Sequence, residues 1–193
     1  NAPFFTVDVT TPLGTAGHAI GDNTMVATND GTATVTVNVK SPLWAQFDTI
    51  ELYVNAPTQR YDHDANAATR MRYRVPAPTQ SQSAGVDFAV STINDYPGIP
   101  NASHYEATAT FNLTGLSADS WVVVMVKGTD GVSRPLFPVL PNSIKTSTNT
   151  NLAQLTDGNL GEDGIMALAF SNPLYIDANN DASWTAPGVQ LVP

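Results

Sequence analysis

The sequence predicts an all-β fold, a two-sheet immunoglobulin-like β-sandwich of about seven to nine strands with long decorating loops. Apolar and polar residues alternate over several segments, the pattern of a strand with one face on a core and one in water. Gly and Pro turn signals separate these segments, and no segment keeps a 3.6-residue apolar period over several turns. Many short strands with little helix favour a sandwich, with a closed barrel as the main alternative.

The predicted strands follow one another along the chain. Alternation predicts one-sided strands at residues 5–9, 35–39, 50–54 and 105–113. Residues 121–126, Trp-Val-Val-Val-Met-Val, are apolar at every position, which predicts a central strand buried on both faces. Residues 56–104 carry few strand signals, and we expect long irregular loops there at one end of the sandwich. The best helix candidate is a single turn at residues 151–155.

Length and composition fit one domain covering residues 1–193. A hydrophobic content of 42% is enough for a packed core, and no internal repeat or linker divides the 193 residues. No signal peptide is visible, and the first residue is Asn1. We therefore interpret the chain as a mature product or, preferably, an excised domain.

Charge narrows the set of partners. Seventeen carboxylates against eight Lys and Arg give a net charge of −9, which repels phosphate backbones and argues against nucleic-acid binding. The chain has no Cys, so it has neither disulfides nor a thiolate metal site. No apolar run approaches the roughly 18 residues of a membrane span, so we expect none. A surface rich in hydroxyls and amides is typical of secreted β-proteins.

The strongest candidate site is the acidic loop that follows an apolar strand near the end of the chain. Asp177, Asn179 and Asp181 have the 1-3-5 spacing with which a loop wraps a hard cation such as Ca²⁺. A backbone carbonyl near Ser183 would add an oxygen. The alternative is an ordinary turn stabilised by Asn and Asp side chains that bind their own backbone.

The loop departs from the EF-hand pattern, which places Gly at the sixth position and Glu at the twelfth. This chain has Ala182 and Gly188 there. A calcium site would therefore need a further ligand from the preceding loop, for which the candidates are Asp157, Asn159, Glu162 and Asp163.

Other clusters are weaker candidates. Asp62, His63 and Asp64 could bind a transition metal or supply a general base, but the remaining histidines lie in unrelated loops, so we favour a solvated loop. Arginines alternate along residues 70–74, and a solvent face paired with acidic neighbours such as Glu51 is favoured over an anion site.

Aromatic residues could form sugar-stacking platforms only where their faces are exposed. We expect Trp44 and Trp121 to be buried and Trp184 to be the best candidate for exposure. For nucleophilic catalysis the chain offers no Cys and no Gly-x-Ser-x-Gly elbow, and no Gly-rich phosphate loop precedes a helix. The sequence therefore assigns no catalytic residue.

Several segments together resemble a known family. Residues 31–44, Gly-Thr-Ala-Thr-Val-Thr-Val-Asn-Val-Lys-Ser-Pro-Leu-Trp, and 48–55, Asp-Thr-Ile-Glu-Leu-Tyr-Val-Asn, resemble the start of the β-domain that follows the catalytic domain in bacterial PHP-domain metal-dependent phosphoesterases of the CehA/McbA type. Residues 121–128, 134–139 and 167–177 look like that domain's closing strands.

The resemblance implies a C-terminal accessory β-domain. The family's metal chemistry lies in a separate α/β barrel, so no catalytic residue carries over to this chain. The expected function is a non-catalytic accessory module of an exported PHP-type metallo-phosphoesterase, bacterial and secreted or cell-surface, with Ca²⁺ as a structural ion. Its partner would be the catalytic domain on the same polypeptide, which predicts an apolar patch on one sheet face or edge.

Two further hypotheses stay open. The chain could be a calcium-dependent carbohydrate- or cell-surface-binding module, with an exposed aromatic ring such as Trp184 beside the acidic loop. Less favoured is a self-contained hydrolase that uses Asp62, His63 and Asp64 in a pocket.

Overall fold

A computed structural model describes residues 3–17, 24–56, 77–99, 102–129, 137–138, 164–165 and 167–187. Within these ranges the chain forms thirteen β-strands and no helix. In chain order they are β1 (Phe4–Thr11), β2 (Gly14–Ala16), β3 (Met25–Ala27), β4 (Ala33–Pro42), β5 (Thr49–Val54), β6 (Gln80–Ser83), β7 (Val90–Asn94), β8 (Ser103–Leu113), β9 (Ser120–Lys127), β10 (Phe137–Pro138), β11 (Gly164–Ile165), β12 (Leu168–Phe170) and β13 (Leu174–Asp177). None of the described residues builds a helix with the length and apolarity needed to cross a membrane.

Two main sheets account for most strands. The first has the order β2-β1-β4-β8-β7, with every pair antiparallel. The second has the order β3-β13-β9-β5-β6, in which β3 runs parallel to β13 and β12 also pairs with β9. Strands β10 and β11 pair separately. The prediction of an all-β sandwich is confirmed.

The core lies between the two main sheets and follows the alternation in the sequence. On β4 the buried side chains include Val35, Val37 and Val39, each facing the second sheet, while the Thr and Asn residues between them are half-buried or exposed. Strand β8 contributes Phe111, and β9 contributes Val124 from the opposite sheet. Side chains that interdigitate between two inner faces are the usual core of a sandwich.

The central position of β9 is confirmed, because it pairs with β5 on one side and with β12 and β13 on the other. Its burial on both faces is wrong in degree: the inner residues are fully buried, whereas Trp121, Val123 and Met125 are half-buried. The outer face of β5 is more buried than expected. Glu51 and Tyr53, expected in water, are both buried.

Residues 56–104 contain more regular structure than expected. The described part includes β6, β7 and the start of β8, so the expectation of long irregular loops is wrong there. Residues 57–76 and 100–101 lie outside the described residues. Two glutamines of β6 form hydrogen bonds with the part of β8 that lies beyond its pairing with β7. Gln80 Nε2 donates to the carbonyl of Asn112 at 3.0 Å, and Gln82 Nε2 donates to that of Thr110 at 2.8 Å.

Candidate functional site

The acidic loop leaves the sandwich at the end of β13. Leu174 and Ile176 point into the core and are buried, and the strand ends at Asp177, whose side chain is also buried. The carbonyl of Asp177 accepts a bond from the backbone N–H of Thr28 at 2.9 Å, which extends the pairing with β3. The first predicted ligand is therefore built into the sheet and held by its backbone.

The carboxylate of Asp177 organises the turn. Oδ2 accepts from the backbone N–H of Ala182 at 2.9 Å, and Oδ1 accepts from that of Asp181 at 3.3 Å. These bonds curl the loop so tightly that Ala182, at the sixth position, has φ 66°. That left-handed conformation favours Gly, so the curl resembles a calcium loop while the residue at the sixth position does not suit it.

The other two predicted side chains meet above this turn. Asn179 Nδ2 donates to Asp181 Oδ2 at 2.9 Å, and the backbone N–H of Asp181 donates back to Asn179 Oδ1 at 3.1 Å. Ser183 donates its hydroxyl to Asp181 Oδ1 at 2.6 Å and its N–H at 2.8 Å. These bonds from Ser183, followed by that from Asn179, hold the pKa of Asp181 below its ordinary value. Asp177, Asn179, Asp181 and Ser183 are thus one hydrogen-bonded unit.

A second buried carboxylate, which the sequence did not reveal, supports the same loop. Asp119 accepts from the backbone N–H of Ala178 at 2.9 Å and from that of Thr185 at 2.6 Å. It lies 59 positions from Ala178 in sequence and follows no ligand spacing. Only the pairing of β9 with β13 brings it beneath the loop.

Trp184, which follows the acidic loop, packs against the second sheet. Its ring packs on Tyr175 with centroids 4.7 Å apart, and its Nε1 donates to the carbonyl of Ser120 at 3.1 Å. The side chain is half-buried. Trp44 corrects another expectation: it is 56% exposed, not buried. Trp121 is half-buried as well.

Several predicted site residues lie outside the described residues. They are Asp157, Asn159, Glu162, Asp163, Asp62, His63, Asp64 and the arginines of residues 70–74. Glu51, suggested as a partner of those arginines, binds Lys127 Nζ at 2.7 Å and accepts from the Tyr53 hydroxyl at 2.7 Å. Across the ranges that the structure describes, no three His, Asp or Glu side chains are grouped to hold a metal.

An open cleft separates the start of β1 from β12. It has a volume of about 310 Å³ and is lined by residues 3–7 and 169–171. Two aromatic rings at its rim are exposed, Phe4 at 69% and Phe170 at 74%. The cleft therefore combines a concave surface with large apolar side chains in water.

Comparison of the chain with family models, curated proteins and solved structures finds no match. The resemblance to PHP-domain phosphoesterases therefore consists of the sequence motifs alone.

Proposed function

We propose that this chain is a non-catalytic accessory β-sandwich module of an exported PHP-type metallo-phosphoesterase, and that it docks on the catalytic domain of the same polypeptide. The observation that carries the proposal is the cleft between β1 and β12 with Phe4 and Phe170 at its rim. Scattered single apolar residues are normal on a surface, but two exposed phenylalanines lining one concave site favour an interface.

The resemblance favours the catalytic domain as the occupant of this cleft. In that family the β-domain follows the catalytic domain, so a polypeptide of that design would enter the sandwich through β1. Pro3 and Phe4, at the entry to β1, line the cleft. Covering one phenylalanine side chain contributes about 1.5–3 kcal/mol, so the two rings would supply a useful part of a domain interface.

The contacts of three buried carboxylates support a structural role. Asp119 and Asp177 are buried and accept backbone N–H groups, and Glu51 is paired with Lys127. Groups engaged in this way hold loops and strands together, and none needs a substrate to satisfy it.

The open reading frame is the first test, because a gene without an upstream PHP barrel contradicts the proposal. The second test mixes the separately expressed barrel domain with this chain in a calorimeter. We expect Phe170→Ser to weaken the association by at least about tenfold. Val86→Ser, at an even more exposed site in the β6–β7 turn (84% exposed), should leave it unchanged.

Activity of the isolated chain is a separate check. We expect no hydrolysis of a model phosphodiester or a peptide bond, with or without divalent metals. Metal-dependent turnover that His63→Ala abolishes would contradict the accessory role and favour a self-contained hydrolase.

We further propose Ca²⁺ as a structural ion in the acidic loop, since the fold brings Asp177, Asn179 and Asp181 together. Binding would require the Asn179 amide to rotate, because its Nδ2 now faces Asp181 Oδ2 and a cation needs oxygen there. The Trp184 ring packs on Tyr175 and its N–H is already bonded. This favours a structural ion over calcium-dependent sugar binding at this loop.

The strand order also supports the finer immunoglobulin-like assignment. The neighbours β1-β4-β8-β7 and β13-β9-β5 have the connectivity of the four-strand and three-strand sheets of immunoglobulin domains. We propose that subdivision on this basis.

A further inference from the structure

Two tight turns flank one residue at the end of the first sheet. Pro42, at the end of β4, pairs with His104 of β8, and Ile93 of β7 pairs with His104 from the other side. The β4–β5 connection therefore leaves the sheet beside His104 on one side, and residues 95–99 leave it from the end of β7 on the other. Their starting points are separated by two strand spacings, or about 10 Å.

Each turn carries an exposed aromatic ring and is closed by a backbone hydrogen bond. The N–H of Ala45 donates to the carbonyl of Pro42 at 2.8 Å, which places Trp44 near the tip of the first turn. The N–H of Ile99 donates to the carbonyl of Tyr96 at 3.0 Å in the second. Trp44 is 56% exposed and Tyr96 is 64% exposed. A turn whose backbone is hydrogen-bonded before binding loses less conformational entropy when a ligand arrives.

A charge-balanced cluster lies between the turns. His104 Nδ1 is 2.9 Å from Asp95 Oδ2, His104 Nε2 is 2.9 Å from Glu106 Oε1, and Lys40 Nζ is 2.6 Å from the same Glu106 oxygen. A neutral imidazole has a single N–H, so bonds to both carboxylates require the protonated ring. The hydrogen bonds to Glu106 and Asp95 raise the pKa of His104, which favours that form. Two cations then balance two anions.

This balance indicates the chemistry of a ligand. An anion is disfavoured by the carboxylates and by the net charge of −9. A cation gains little, because the carboxylates are already paired. Hydroxyl groups suit the cluster well, since Lys40 has further N–H donors and both carboxylates have lone pairs to spare. A neutral ligand with hydroxyl groups and apolar ring faces fits both the His104 cluster and the exposed rings of Trp44 and Tyr96.

We propose that this end of the sandwich binds a neutral oligosaccharide, which stacks on Trp44 and Tyr96 and places hydroxyl groups against the His104 cluster. The site uses none of the acidic-loop residues, so it needs no calcium. It also uses neither Phe4 nor Phe170, and so does not depend on the proposed docking of a catalytic domain.

The test is binding to an array of neutral glycans that includes cello-, xylo-, chito- and malto-oligosaccharides, followed by calorimetry on any that bind. We expect Trp44→Ala and Tyr96→Ala each to weaken binding by about tenfold or more, the effect of truncating an aromatic anchor. Val86→Ala, at an exposed apolar site in the β6–β7 turn, is the control and should bind normally, and a chelator should change nothing. Melting curves verify that each variant is folded.

Three outcomes contradict the proposal. One is an array on which the wild-type chain binds no better than a Trp44→Ala/Tyr96→Ala double variant. Another is binding that a chelator abolishes, which would place the site at the acidic loop. The third is concentration-dependent self-association that Trp44→Ala removes, which would identify the surface as a protein interface.

Discussion

Removing the buried carboxylate of Asp177, the first residue of the acidic loop, should destabilise the whole sandwich. Asp177 ends β13 inside the fold, and its two oxygens hold the backbone of the loop at Asp181 and Ala182. In Asp177→Ala both N–H groups lose this acceptor. The substitution therefore tests whether the loop is maintained by its own side chains.

The size of the effect follows from the hydrogen bonds. The N–H of Asp181 keeps the Asn179 side-chain oxygen at 3.1 Å, so only the N–H of Ala182 loses its sole acceptor. A hydrogen bond to a charged group contributes about 1.5–3 kcal/mol. For a domain of this size about 2–4 °C accompanies each kcal/mol, so we expect the Tm to fall by about 3–12 °C. Asp177→Asn keeps one side-chain acceptor, so its Tm should lie between those of the wild type and Asp177→Ala.

The assay is thermal unfolding followed by circular dichroism in the presence of a chelator, so that no cation contributes. Asp181→Ala is the control, because that carboxylate is exposed and bonds mainly within the loop. Its Tm should change less than that of Asp177→Ala. A Tm for Asp177→Ala within about 1 °C of the wild type, a change smaller than half a kcal/mol, would refute the argument that this carboxylate holds the loop.

Four further outcomes are expected. Ca²⁺ at 100 times its dissociation constant should add about 2.7 kcal/mol, or about 5–10 °C in Tm; Asp181→Ala should remove the increment, and identical curves with calcium and chelator contradict the site. Ala182→Gly should raise the free energy of unfolding by roughly 1 kcal/mol by relieving the left-handed backbone; a lower Tm contradicts this. The folded state raises the pKa of His104, so the stability that this residue contributes is complete below the ordinary histidine pKa of about 6.5. That contribution is lost as the pH rises through the pKa of His104 in the folded state, and the Tm should fall over that range. His104→Gln should make this fall smaller. Gln82→Ala should cost about 0.5–1.5 kcal/mol in urea unfolding, whereas Ser81→Ala, the exposed neighbour on β6, should cost less.

The strands that the sequence predicted are those with one face packed on the core, because burial of that face sets the pattern of apolar residues. Strands β1, β4, β5, β8 and β9 read as alternating or fully apolar runs because one face packs on the core. Strand β6, Gln-Ser-Gln-Ser, shows no such pattern, since backbone pairing with β5 and glutamine bonds to β8 hold it in place. Short polar edge strands are therefore invisible to periodicity.

In the acidic loop, too, the sequence predicted some of the residues that matter and missed others. Spacing identified Asp177, Asn179 and Asp181, because residues two apart in a tight turn necessarily approach each other. Asp119 was missed because its contact with the loop depends on the pairing of two strands that are far apart in sequence. Trp44 was misjudged for a related reason: residue type favours burial, but a tight turn places the ring outside the sheet.

The segment that contributes most to the family resemblance also has a structural explanation. Asp48 accepts from the backbone N–H of Thr129 at 2.8 Å, and Glu51 is paired with Lys127. Asn55, in the left-handed region at φ 47°, accepts from the N–H of Trp121 at 2.9 Å. Each motif residue thus fastens β5 to the end of a neighbouring strand or loop. The polar groups of this segment are engaged in contacts that hold the β-sandwich together, so the resemblance in it identifies no reactive group. For this reason the resemblance assigns no catalytic residue, and ligand binding has to be argued from the exposed side chains at the ends and edges of the sandwich.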